Sequence, residues 1–130
     1  MSQYHFSGTV VHGQQLGRRL GFPTANLEVE PLVGHLPQAG VYAAWATLAG
    51  GERYLSMVNI GYRPTVDEPS HRLSVEAYLD HFSGDLYGQR LSLQLVERIR
   101  DERKMSSLQQ LQEQLSADLR QVRSLLLNEK

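Results

Sequence analysis

The chain has 130 residues, of which 41% are apolar and 21% charged, with a net charge of -1. That is one domain's worth of an ordinary globular composition, and it argues against disorder and against a strongly basic nucleic-acid binder. It contains no cysteine, which excludes a disulfide framework, a thiolate metal site and a Cys nucleophile.

In chain order, Tyr4–His12 carries Tyr, Phe, Thr and two Val before Gly13, and reads as a strand. Gly40–Leu48 and Glu52–Ile60 flank Gly50-Gly51 and predict a hairpin. Arg72–Asp80 alternates, with Leu73, Val75, Ala77 and Leu79 on one face and Ser74, Glu76, Tyr78 and Asp80 on the other. Ser83-Gly84-Asp85 turns the chain, and Gln89–Val96 alternates again through Leu91, Leu93 and Leu95. Short strands with Gly/Pro punctuation and no crossover helix between them predict an antiparallel barrel or sandwich. Leu108, Leu111, Leu115, Leu119, Val122 and Leu126 then repeat at three- and four-residue steps, the pattern of one amphipathic helix. Ser107 with Gln110 predicts a capping box, and the helix is expected to lie across one open face of the barrel. Asn128–Lys130 should fray. No membrane span or signal peptide is recognisable, and a cytoplasmic setting agrees with the lack of cysteine.

Two segments fit neither period, Gly13–Pro37 and Gly61–His71, and long irregular segments in a small domain are where chemistry is sought. In the first, glycines at 13, 17 and 21 surround Arg18 and Arg19. Glycine lets backbone N–H groups approach an anion, although this spacing alone reads as a flexible turn with two solvated arginines. Pro23 fixes its own φ and biases Phe22 toward an extended conformation; if residues 23–26 stay extended, Thr24 and Asn26 fall on one side. Their hydroxyl and amide oxygens are hard donors of the sort Mg²⁺ accepts; the plain alternative is a hydrogen-bonded turn. Glu76, on the polar face of its strand, is a candidate base or an ordinary exposed glutamate. Arg98–Met105 holds four cations and two acids and reads as a connector between the last strand and the helix. The five histidines have no metal-ligand spacing.

Taken in order, Gly8–Gly13, Gly21-Phe22-Pro23-Thr24-Ala25-Asn26-Leu27, Gly40-Val41-Tyr42, Asn59–Thr65, Val75-Glu76, Asp85–Gly88 and Ile99-Arg100 before a Leu-rich helix resemble the riboflavin kinase family. The Pro-Thr-Ala-Asn element is its most specific part. The resemblance implies a six-stranded antiparallel Greek-key barrel with a C-terminal helix, one kinase domain over residues 1–130 (barrel about 4–100, helix about 107–127). It implies transfer of the ATP γ-phosphoryl group to riboflavin, giving FMN and ADP, with Mg²⁺. By position, Thr24 and Asn26 would ligate the metal, and Glu76 would be the general base. Gly13 and Arg18 would contact the nucleotide, with Leu79, His81 and Tyr87 lining its side. Arg100, Arg103 and Met105 would border the flavin. Neither nucleic acid nor membrane is implied as a partner. An FMN adenylyltransferase domain or protein is a possible one, and without a His-x-Gly-His motif this chain is not expected to make FAD alone. Met105, where an aromatic is common, and Tyr78, where His is frequent, depart from the family pattern. They leave room for a non-catalytic flavin- or nucleotide-binding module.

Overall fold

The structure is a computed structural model in which residues 4–11, 22–29, 37–64 and 71–127 are described. Six strands, β1 (Tyr4–Val11), β2 (Ala25–Val29), β3 (Gly40–Leu48), β4 (Arg53–Pro64), β5 (His71–Leu79) and β6 (Arg90–Arg100), precede one helix, α1 (Leu108–Leu127). The strands close into an antiparallel barrel in the order β1-β2-β5-β4-β3-β6. The consecutive strands β3, β4 and β5 are neighbours, and β6 returns beside β3, which is a Greek key. Closure leaves no unpaired sheet edge.

Alternation explains most of this. Leu91, Leu93 and Leu95 from β6 meet Val75, Ala77 and Leu79 from β5 and Tyr42, Ala44 and Ala46 from β3 in the barrel interior. At about 25 cal/mol per Å² of apolar surface removed from water, this interior is the main source of stability. The β3–β4 hairpin turns at Gly50-Gly51, closed by hydrogen bonds from Leu48 N to Glu52 O and from Gly51 N to Leu48 O. Gly51 takes φ of +99° there, a region that side-chain-bearing residues avoid.

A second apolar cluster lies on the outer face of the wall, where Ala43, Leu55 and Met57 pack against Leu119, Val122 and Leu126 of α1. The helix therefore covers the outside of β3 and β4, not an open end of the barrel. Arg123 ties its C-terminal half to Asp80 through two hydrogen bonds of 2.8 and 2.9 Å. This guanidinium is the main reason the Asp80 carboxyl is held below the ordinary aspartate value.

Three further expectations change. β4 runs through Gly61 to Pro64, a stretch read as irregular because Gly and Pro look like breakers; pairing with β5 from Ile60↔Val75 to Pro64↔His71 overrides them. β6 reaches Arg100, so Arg98, Ile99 and Arg100 belong to the strand and the connector starts at Asp101. Alternation fails to reveal this because β6 shifts register against β3 twice, between Val41/Tyr42 and between Ala43/Ala44. Such bulges re-aim side chains, and Val96 and Ile99 join the helix-side cluster. Finally, Ser107 Oγ accepts from Gln110 N at 3.1 Å, as an N-cap should, but Gln110 Oε1 reaches back to Ser106 N and Oγ instead of Ser107. Among the described residues no helix is long and apolar enough to cross a membrane.

Candidate functional site

The barrel register assembles a row of four polar residues and one valine from distant parts of the chain. Asn26 of β2 faces Glu76 of β5, Glu76 faces Asn59 of β4, Asn59 faces Val41 of β3, and Val41 faces Arg100 of β6. Directly opposed residues share a sheet face, and this is the outer face, since Val75 and Ala77 on either side of Glu76 point into the core.

Two cavities meet at this row. The larger, about 650 Å³, lies between the β1–β2–β5 wall and the 82–87 loop, and takes in Thr24, Asn26, Leu79, Asp85 and Tyr87. The smaller, about 260 Å³, lies between the wall and the first half of α1, and takes in Thr24, Glu76, Asn59, Arg100, Glu102 and Arg103. Thr24 lines both. Its hydroxyl donates to Glu76 Oε1 at 3.4 Å, a long contact that sits at the junction. Glu102 Oε2 accepts from Asn59 Nδ2 at 3.0 Å. Phe22, packed edge-on against Tyr78 with ring centroids 5.4 Å apart, walls off the smaller cavity just before Pro23-Thr24. Burial raises the Tyr78 hydroxyl above its ordinary value, and the Asp80 charge adds to this.

The expected site residues divide accordingly. Thr24, Asn26, Leu79 and Tyr87 line the larger cavity; Thr24, Glu76, Arg100 and Arg103 line the smaller. His81 and Met105 line neither. The His81 imidazole is 82% exposed and lies 3.6 Å from Asp80. Its backbone takes φ of 65° in the turn after β5. Gly13 and Arg18 lie outside the described residues, as do residues 65–70 of the second irregular segment and Asn128–Lys130.

Asn59, Glu102, Phe22 and Asp118 line the smaller cavity without having been singled out in the sequence. Only Asp118 carried a signal: it is a carboxylate on the apolar stripe of α1, three residues after Leu115 and four before Val122.

Among the described residues no three His, Cys, Asp or Glu cluster as a metal cage. The oxygens of Thr24 and Asn26 beside the Glu76 carboxylate instead suit a cation that takes few protein ligands and completes its shell with water and phosphate.

The closed barrel thus carries two cavities that share Thr24 on their lining. The family model for flavokinase, described as riboflavin kinase, matches residues 1–126, and the chain belongs to the riboflavin kinase family. Two relatives from Bacillus subtilis (strain 168) are each 39% identical to it. One is an RNA-binding riboflavin kinase, matched over 87% of this chain and 47% of the relative. The other is a bifunctional riboflavin kinase/FMN adenylyltransferase, matched over 88% of this chain and 36% of the relative. The chain thus spans less than half the length of these relatives. Among solved structures it superposes on a riboflavin kinase from Trypanosoma brucei (TM-score 0.67, 26% identity, 98% of this chain and 79% of that one). It also superposes on a Streptococcus pneumoniae chain titled a macrolide-efflux protein (TM-score 0.82, 34% identity, 92% of this chain and 38% of that one).

Proposed function

We propose that this chain transfers the γ-phosphoryl group of ATP to the riboflavin 5′-hydroxyl, giving FMN and ADP. The observation that carries the reading is the Thr24–Glu76 contact at the junction of the two cavities. The larger cavity would take the nucleotide, with Leu79 and Tyr87 on its walls. The smaller would take the flavin, with Arg100 and Arg103 on its border. Gly13 and Arg18, carried over from the family pattern, would reach the nucleotide; His81 and Met105 would serve at the margins of the two sites.

Phosphoryl transfer requires alignment and charge neutralisation more than covalent help. Thr24 and Asn26 would hold a divalent cation, Mg²⁺ in this reading. When bound, that cation supplies neutralisation of the phosphate charge. Glu76, facing the ribityl hydroxyl, would accept its proton as the oxygen attacks the γ-phosphorus and ADP leaves. The alcohol is far less acidic than a carboxyl group, so the proton moves late. Base assistance of this kind is worth roughly 10²–10⁴ in rate. Phe22 and α1 would shield the smaller cavity from water and limit ATP hydrolysis.

The test is direct. Purified chain with riboflavin, ATP and Mg²⁺ should form FMN, followed by chromatography. Tight FMN binding without turnover would instead mark a non-catalytic flavin-binding module, and the absence of both would refute the reading.

A further inference from the structure

On the wall of the smaller cavity the Arg100 side chain donates four hydrogen bonds. Its Nε donates to both carboxylate oxygens of Asp118 at 2.9 and 3.0 Å, and its Nη2 donates to Asp118 Oδ2 at 2.8 Å. Its Nη1 donates to the Asp101 carbonyl at 2.9 Å. Asp118 accepts a further bond from Gln114 Nε2 at 2.8 Å. The Asp118 side chain is 2% exposed and that of Arg100 15%, and both residues line the cavity.

This arrangement is costly for a helix whose task is only to pack. Position 118 falls on the apolar stripe, beside the buried Leu119 and Val122. An apolar pair of similar volume would dock α1 as well or better, because taking two charges out of water offsets most of their attraction. What the ion pair supplies is direction. An arginine on the outer face of a barrel otherwise samples many rotamers, and a two-toothed carboxylate contact selects one plane for the guanidinium. A planar guanidinium held in one plane is suited to stack on, or donate to, a flat heteroaromatic ring.

We infer that Asp118 is a positioning residue for the aromatic substrate, acting by holding Arg100 on the wall of the smaller cavity. The inference rests on the assignment of that cavity to riboflavin. It makes α1 a working part of the flavin side, coupled to β6 through one ion pair. Lysine cannot replace Arg100 in this role, because an ammonium group has no fork to match the carboxylate.

The experiment compares the wild-type chain with Asp118→Asn, Asp118→Glu and the double variant Arg100→Met/Asp118→Leu. It reads riboflavin affinity by quenching of flavin fluorescence, KM for each substrate, kcat and Tm. Asp118→Asn should raise riboflavin Kd and KM about tenfold, on the order of 1.4 kcal/mol. KM for ATP, and kcat at saturating riboflavin, should stay within about twofold. Asp118→Glu should recover part of the loss. The double variant should keep or gain thermal stability and still lose riboflavin affinity, which separates positioning from folding. The inference is overturned if folded Asp118→Asn or the double variant binds riboflavin like wild type. Equal changes in both KM values, or a lower Tm with riboflavin affinity intact, overturn it as well. A wild-type chain that does not bind riboflavin overturns the cavity assignment and this inference together, whereas equal binding by wild type and variants overturns the inference alone.

Discussion

Thr24 and Glu76 are 52 residues apart in the chain, yet the Thr24 hydroxyl donates to the Glu76 carboxylate at 3.4 Å. The pairing of β2 with β5 brings them together, since Asn26 sits opposite Glu76 and Ala25 opposite Ala77. A metal-ligand candidate and a base candidate therefore share one point of the barrel wall, between two cavities.

Replacing Glu76 by Gln should leave the barrel intact and lower kcat for FMN formation by about 10²-fold or more. Nucleotide affinity should change little, because Glu76 borders the smaller cavity and not the larger. Single-turnover FMN formation beside ADP titration checks both halves; full activity would remove Glu76 as base.

Thr24→Val and Asn26→Ala each remove one hard oxygen donor. Each should raise the Mg²⁺ concentration for half-maximal activity by about tenfold, on the order of 1.4 kcal/mol per lost ligand. A chelator should abolish FMN formation by the wild-type chain, and added Mg²⁺ should restore it. An Mg²⁺ titration curve that does not move in either variant would take the metal away from these residues.

Asp80 makes stability depend on acid. The Arg123 guanidinium holds its pKa in the folded chain below the ordinary aspartate value. The unfolded chain therefore holds the proton more tightly. The stabilisation is complete at pH values above the unfolded value and is lost as pH falls through the folded one. Arg123→Met should lower stability at pH 7 by about 1–3 kcal/mol, a reduced figure for a buried carboxylate whose partner is half-exposed. It should also flatten the loss of stability below about pH 4. Urea unfolding at pH 7 and at pH 3 measures both effects.

Gly61 lets Glu102 lie across β4. A Cβ built at Gly61 would come within 2.9 Å of Glu102 Oε2, the mobile end of a long side chain. Gly61→Ala should therefore push Glu102 aside and break its bond from Asn59 without opening the barrel, at a stability change of about 1 kcal/mol or less. Riboflavin KM should rise more than KM for ATP, because Glu102 and Asn59 both line the smaller cavity. A large fall in Tm would instead show that the backbone, not Glu102, gives way.

The alternation of Arg72–Asp80 was enough to put Glu76 and Tyr78 on one face and Leu79 on the other, because a two-residue period is a local property of extended chain. The same period, applied to an extended course over residues 23–26, suggested that Thr24 and Asn26 share a side. The family resemblance supplied the sixth strand: β2 has five residues and no apolar alternation strong enough to be read by pattern. Gly61 and Pro64 concealed the end of β4, and two register shifts concealed the end of β6. In each case tertiary pairing prevailed over a local signal. Asn59 and Glu102 were illegible as site residues because nothing local distinguishes an Asn in a strand or a Glu in a connector from its solvated counterparts, whereas Asp118 stood out only as a carboxylate on the apolar stripe of α1.

The sequence by itself determined the strand faces, the single helix and the residue types available for chemistry, since these follow from periodicity and side-chain character. Only the closed barrel decided which of them meet. Register between strands dozens of residues apart is set by closure and core packing across the whole ring. That long-range condition puts Asn26, Glu76, Asn59 and Arg100 in one row, and seats a carboxylate of the helix against the last of them.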